Sequence, residues 1–148
     1  SHPDRIVLMP VMTGGMVFAA DLIRHIPIKL SLDVVSVSSY AGAVTESRGA
    51  RLKGALPTNL ADRHVVVIDD ILDSGQTLAL IRDMVGEQGP ASFRTCVMLD
   101  KSERRVADIS ADYVGFEIPD EFVVGYGLDY DGFYRNLPDI VALSEEHQ

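Results

Sequence analysis

Three aspartates and two hydroxyl residues fall within nine positions: Asp69, Asp70, Asp73, Ser74 and Thr77. Adjacent carboxylates such as Asp69 and Asp70 suit the vicinal hydroxyls of a sugar, or a hydrated Mg²⁺ held through a few ligands. The run Ser74-Gly75-Gln76-Thr77 suits a phosphate monoester. Gly75 lets the backbone approach a ligand closely, and the hydroxyls of Ser74 and Thr77 donate. A helix starting here would add unpaired N–H groups with the positive end of its dipole behind them. Side by side, the two halves describe a site for a phosphorylated ribose. Asp and Ser are also common helix caps, so Asp73 has a second reading as the N-cap of the following helix. So many acids and hydroxyls around one point favour a site.

The flanking residues supply the elements that position this group. Val65-Val66-Val67-Ile68 reads as a strand buried on both faces of a parallel sheet, ended by Asp69 and Asp70. The pattern over 78–85 reads as a helix. Strand, polar loop and helix in that order place a ligand at the carboxyl end of a strand in an open α/β sheet. Upstream, residues 5–11 predict a first strand stopped by Thr13-Gly14-Gly15, residues 16–26 a helix, and 30–37 a second strand closed by Ser38-Ser39-Tyr40. Residues 41–62 are polar and Gly-rich, with Arg48, Arg51 and Lys53 among them. So long a connection is commonly functional, and it is expected to be a mobile, hairpin-like loop closing over substrate. Downstream, 86–90 ends the central helix, 92–99 and 113–116 predict strands, and short extended pieces fall at 121–124 and 139–143. The alternation predicts an α/β fold, an open and mainly parallel twisted sheet flanked by helices.

The chain has 148 residues, 47% hydrophobic and 24% charged, which fits one globular domain with a real core. A net charge of −9 speaks against nucleic acid or an anionic membrane as the main partner. It leaves room for an anionic small substrate held by backbone amides, a metal and a few local cations. His2, His25, His64 and His147 lack ligand spacing, so no zinc site is expected. Cys96 is the single cysteine and lies in an apolar stretch; a buried core thiol is its expected state. No apolar run is long enough to span a membrane and no signal-peptide pattern is visible, so a cytoplasmic location is expected.

Residues 65–78 resemble, along their whole length, the phosphoribosyl-pyrophosphate signature of the type I phosphoribosyltransferases. Lys101, the run 114–120 and the run 122–130 resemble the purine-binding half of the hypoxanthine-guanine phosphoribosyltransferases, and residues 7–24 with Ser39-Tyr40 are similar to other segments of that subfamily. The resemblance implies Mg²⁺-dependent transfer of phosphoribosyl from phosphoribosyl pyrophosphate to N9 of hypoxanthine or guanine, giving IMP or GMP. It implies Asp73 as proton acceptor at purine N7, with Asp69, Asp70, Ser74, Gly75, Gln76 and Thr77 binding the phosphoribosyl group. Thr13, Gly14, Ser39, Tyr40 and Arg135 would bind pyrophosphate, and the Met12–Thr13 peptide is expected to be strained or cis. Lys101 would donate to the purine 6-oxo group, Phe122 stack on the ring, and Val123 and Asp129 read its edge. Asp69, Asp70 and Asp129 would be the Mg²⁺ ligands. Many family members carry Lys or Arg where Thr13 stands, leaving one cation fewer for pyrophosphate. The family also carries a segment before the first strand that helps build a small hood; here the sequence opens at that strand, so either an incomplete hood over 101–143 or a fragment of a longer chain is expected. A homodimer or homotetramer is implied as well.

Two other functions compete with this one. One is a phosphoribosyltransferase preferring xanthine or another base. The other is a regulatory protein that binds phosphoribosyl pyrophosphate or nucleotide and acts through RNA. The acidic balance disfavours the regulator, and Lys101, Phe122 and Asp129 favour the 6-oxopurine transferase.

Overall fold

The computed structural model describes residues 5–39 and 50–148. Its main sheet runs β4-β3-β1-β5-β6-β7, with β2 also paired to β1. The strands are β1 (Ile6–Met12), β2 (Ser31–Leu32), β3 (Val35–Ser39), β4 (Ala50–Lys53), β5 (His64–Leu72), β6 (Ser92–Asp100) and β7 (Tyr113–Glu117). Helices α1 (Met16–Ile23) and α2 (Gln76–Gly86) follow β1 and β5. β8 (Val123–Val124) and β9 (Val141–Ala142) form a separate antiparallel pair. All ladders of the main sheet are parallel except β3 with β4. The expected fold class is the one observed.

The strand period of two sorts β1 and β5 onto two faces. Val7, Met9, Val65 and Val67 bury against Leu78, Ile81 and Val85 of α2. Leu8 and Ile68 bury against Ala19 of α1, with Cys96 beside them, half-buried. Burial pushes the Cys96 thiol pKa up, so it is a packing group. Each helix thus covers one face, as a doubly wound sheet requires.

Three boundaries differ from the sequence expectations, each for a physical reason. The strand expected over 30–37 is interrupted: β2 and β3 keep a single register against β1, Val7 with Ser31 and Val11 with Val35. The gap lies opposite Met9 and Pro10, and proline has no N–H to give the ladder. α1 ends at Ile23 rather than 26, and its exit tightens through His25 N–H to the Leu22 carbonyl and Ile26 N–H to Ile23. Pro27 bars residue 26 from continuing the helix. β5 does not stop at the carboxylates but runs to Leu72, because β6 pairs with it as far as Leu72 with Asp100.

The connection 41–62 divides as well. β4 turns back on β3, with Ser39 opposite Ala50, so the part that is described is hairpin-like. Leu56 and Leu60 bury in the α2-side core, so the segment around them is anchored and a closing loop cannot extend to 62. Tyr40 and residues 41–49 lie outside the described residues.

Candidate active site

β5 outruns its neighbour. The β1 ladder to β5 ends at Pro10 with Ile68, while β6 stays paired with β5 for four residues more. The chain winds from β1 toward β3 on one side and from β5 toward β6 on the other, so a crevice opens between β1 and β5 at their carboxyl ends. Asp69 and Asp70 stand in that crevice, 7% and 9% exposed. The Asp69 carboxylate accepts the Asp70 N–H at 2.8 Å, and the Asp70 carboxylate accepts the Ile71 N–H at 2.7 Å. Burial, and then the neighbouring Asp70 charge, hold the Asp69 pKa well above its ordinary value. Burial raises Asp70 too, against hydrogen bonds and the Arg135 charge that lower it. A buried acid pair with so little compensation is built to meet a cation or hydroxyl donors.

Beyond them the backbone turns at Gly75, the N-cap of α2, with φ +85°. The capping role that the sequence left open for Asp73 therefore falls to Gly75, and no side chain caps the helix. Gly75 also has no room for a side chain: an added Cβ would lie 2.7 Å from Ile109 Cγ2 and 3.0 Å from Arg105 Cδ. Residues 69–75 with Thr77 and Leu78 line a cavity of about 210 Å³. Apart from the Gln76 N–H, which reaches the Ser74 hydroxyl at 3.4 Å, the first-turn amides have no partner within the helix and are available to an anion. Oδ1 of Asp73 is buried without a hydrogen-bond partner, the sole such side-chain atom found among the described residues. A native group left like this needs an explanation, and Asp73 borders the cavity that the loop lines.

A second cavity, about 260 Å³, shares Asp69, Asp70 and Thr77 with the first and adds Thr13, Gly14, Asp129 and Arg135. The Met12–Thr13 peptide is cis, as expected. Gly14 packs so tightly on the Asp70 carboxylate that a Cβ would overlap it. Arg135 donates to the Gly127 carbonyl at 2.6 Å and lies 3.4 Å from the Asp129 carboxylate. Asp129 also accepts the Gly132 N–H at 2.8 Å. Among the described residues no three His, Cys, Asp or Glu side chains converge as a ready-made metal cage. Mg²⁺ commonly binds through one or two carboxylates plus substrate oxygens and water, and the Asp69–Asp70 pair fits that role.

Of the purine-side residues, Asp129 lines the second cavity, and Lys101 is joined to Leu72, which lines the first. Lys101 follows β6, donates its N–H to the Leu72 carbonyl at 2.9 Å, and is only 5% exposed. A lone lysine reads as a surface residue from its type alone; here it is enclosed. Its ammonium lies 3.7 Å from Asp120, whose same oxygen takes Arg104 Nε at 2.8 Å. Asp120 and, more weakly, Asp73 push the Arg104 pKa up, so Asp73 lies within electrostatic reach of this cluster. Phe122 is 41% exposed and packs edge-on against Tyr130, with ring centroids 5.6 Å apart. Val123 is half-buried in β8 against Ala142. Ser39 ends β3, the strand whose Val37 lines the second cavity.

Two contacts that tie this half to the sheet gave no sequence signal. The Tyr126 hydroxyl donates to Asp21 of α1, and burial, with that bond, pushes the tyrosine pKa up to about 12. A Cβ on Gly127 would lie 2.5 Å from the Gly14 carbonyl. Both join residues more than a hundred positions apart, which no local pattern encodes.

A diol-and-phosphate site at the switch point of a parallel sheet is the architecture of a phosphoribosyltransferase. Residues 2–131 match the phosphoribosyl transferase domain. The chain is 45% identical over 140 residues to the hypoxanthine-guanine phosphoribosyltransferase of Streptococcus pneumoniae, covering 95% of this chain and 78% of that protein. A crystal structure of a hypoxanthine phosphoribosyltransferase from Staphylococcus aureus superposes with a TM-score of 0.89 at 44% identity, over 97% of this chain and 78% of that one. One of a Bacillus anthracis hypoxanthine-guanine phosphoribosyltransferase, with HEPES in its active site, gives 0.86 at 46% identity, over 94% and 82%. The chain belongs to the type I phosphoribosyltransferases and, within them, to the hypoxanthine-guanine subfamily.

Proposed function

We propose that this protein transfers the 5-phosphoribosyl group of phosphoribosyl pyrophosphate to N9 of hypoxanthine or guanine, releasing pyrophosphate. The observation that carries this reading is the buried, unpartnered Asp73 oxygen at the mouth of the phosphate loop. The first-turn amides of α2, Ser74 and Thr77 hold the 5′-phosphate, while Asp69 and Asp70 lie along the ribose. Thr13, Gly14, Ser39, Tyr40 and Arg135 attend the pyrophosphate. Asp69, Asp70 and Asp129, which line one cavity, would hold Mg²⁺ together with substrate oxygens and water, and the ion would supply charge neutralisation on the departing pyrophosphate. As the C1–O bond to pyrophosphate breaks ahead of full N9–C1 bond formation, positive charge develops on the ribose, and the carboxylates beside it stabilise that charge. The purine N7 proton grows more acidic in the same step, and Asp73 accepts it.

Lys101 selects the base. Its ammonium donates only, so it pairs with a 6-oxo group and not with the 6-amino group of adenine. Phe122 stacks on the ring, and the Val123 and Asp129 backbones read its edge. The test is nucleotide formation with Mg²⁺, phosphoribosyl pyrophosphate, and hypoxanthine, guanine, xanthine or adenine offered separately. Turnover with hypoxanthine or guanine is expected. A clear preference for xanthine would replace the base assignment, and no turnover with any 6-oxopurine would refute the transferase reading.

A further inference from the structure

The phosphate loop is held from below by a segment to which neither the motif nor the reaction assigns a part. The Ser74 carbonyl accepts two N–H groups, from Val106 at 2.9 Å and Ala107 at 3.0 Å. Arg105 makes three contacts from one guanidinium. Its Nε donates to the Asp73 carbonyl at 3.0 Å, its Nη1 to the Ile109 carbonyl at 2.8 Å, and its Nη2 to the Asp100 carboxylate. The side chain is only 19% exposed and that of Asp100 14%. Asp100 is the last residue of β6 and immediately precedes Lys101. Arg105 Cδ also lies against Gly75, leaving no space for a Cβ there.

We propose that Arg105 is a positioning residue for the transfer: its guanidinium fixes the Asp73 main chain, and with it the proton-accepting carboxylate, to the strand end that carries Lys101. Only a planar fork with several fixed donors spans two carbonyls and a carboxylate at once. Oδ1 of the Asp73 carboxylate has no hydrogen-bond partner among the described residues to orient it, so its direction depends on where its backbone is held. A shift of about 1 Å in such a group is enough to cost about a hundredfold in rate.

This rests on the proposed transferase reading, which wild-type turnover tests separately. The decisive variants are Arg105→Lys and Arg105→Gln, compared with wild type by kcat per nucleotide-binding site, by KM for base and donor, and by amide hydrogen exchange over 73–78. Lysine retains the charge opposite Asp100 but not the fork. We expect kcat per site to fall about tenfold or more in both variants, with base KM changing less than about threefold. We also expect faster exchange confined to the phosphate loop and residues 105–109. If Arg105→Lys matches wild type in kcat and loop exchange, the guanidinium only neutralises Asp100 and the proposal is overturned. A kcat loss that vanishes when counted per competent site would likewise reduce it to a folding contact. Should wild type itself fail to turn over, the exchange measurement still decides the role of Arg105, and should Arg105→Gln fail to fold, Arg105→Lys alone decides.

Discussion

Substituting Gly75 by alanine separates two physical costs at the phosphate loop. At φ +85° an L residue pays about 1–2 kcal/mol for its Cβ against the backbone. The added methyl would also stand 2.7 Å from Ile109 Cγ2 and 3.0 Å from Arg105 Cδ, an overpacking that typically costs about 1–3 kcal/mol. Taken together, a loss of about 3 kcal/mol is expected, and at about 2–4 °C per kcal/mol for a chain of this size the melting temperature should drop about 6–12 °C. Gly89 is the control, because it has φ +68° and nothing within 4 Å of an added Cβ. Gly89→Ala should therefore show only the backbone cost, about 1–2 kcal/mol. Thermal melts of the two variants and wild type, read by circular dichroism, measure the difference. Titration with IMP adds a second readout: Gly75→Ala should bind it more weakly as the cradle is displaced, while Gly89→Ala should bind as wild type. Equal melting temperatures for the two variants would refute the claim that residues 105–109 leave Gly75 no room.

Asp73→Asn should lower kcat by about 10²–10⁴-fold while leaving phosphoribosyl-pyrophosphate affinity within about threefold; equal losses in both, by steady-state kinetics and direct binding, would make Asp73 a structural loop residue. Lys101→Ala should raise KM for hypoxanthine by about 10–100-fold, the worth of a charged hydrogen bond, and narrow the preference over adenine. Asp120 retains Arg104 at 2.8 Å in that variant, so little stability should be lost. Asp69→Asn should stabilise the ligand-free protein. Because the folded pKa of Asp69 is raised by burial and by Asp70, the unfolded chain ionises first as pH rises. The penalty then accumulates upward from about pH 4. The variant's advantage should vanish below about pH 4 and grow as pH rises above it until Asp69 ionises in the folded protein, as read by melts at a series of pH values.

The donor half of the site was largely legible in sequence because it is local: strand, acids, loop and helix fall within 65–85 and form in that order. The boundary error at β5 came from a partner strand, since it is the β6 ladder that carries β5 past the acids to Leu72. Leu56 and Leu60 were hidden because two apolar residues in a polar stretch make no period, and their burial depends on a core assembled from β1, β3 and α2. Lys101 illustrates the same limit for the acceptor half. Its residue type predicts exposure, and only the enclosure by the β6 exit and Asp120 overturns that. Arg105 has no local sequence signal, because its three acceptors are contributed by Asp73, Asp100 and Ile109.

The brace beneath the phosphate loop also fixes where this enzyme can be cut and rejoined. In the proposed reading sugar recognition is contributed by one contiguous stretch and base recognition by residues further along the chain, so exchanging acceptor modules between relatives is an obvious way to alter base choice. A junction placed just after Leu78 would separate Ser74 from the amides of Val106 and Ala107. One placed after Ala111 keeps the loop and its support on the same parental side. The incoming piece must then still supply the small residue that rests on Gly14 and the hydroxyl that meets Asp21. Recombination at that second junction carries Phe122, Val123 and Asp129 across as a unit, together with Asp120, the ion-pair partner of Lys101, and leaves the phosphate loop on its native support.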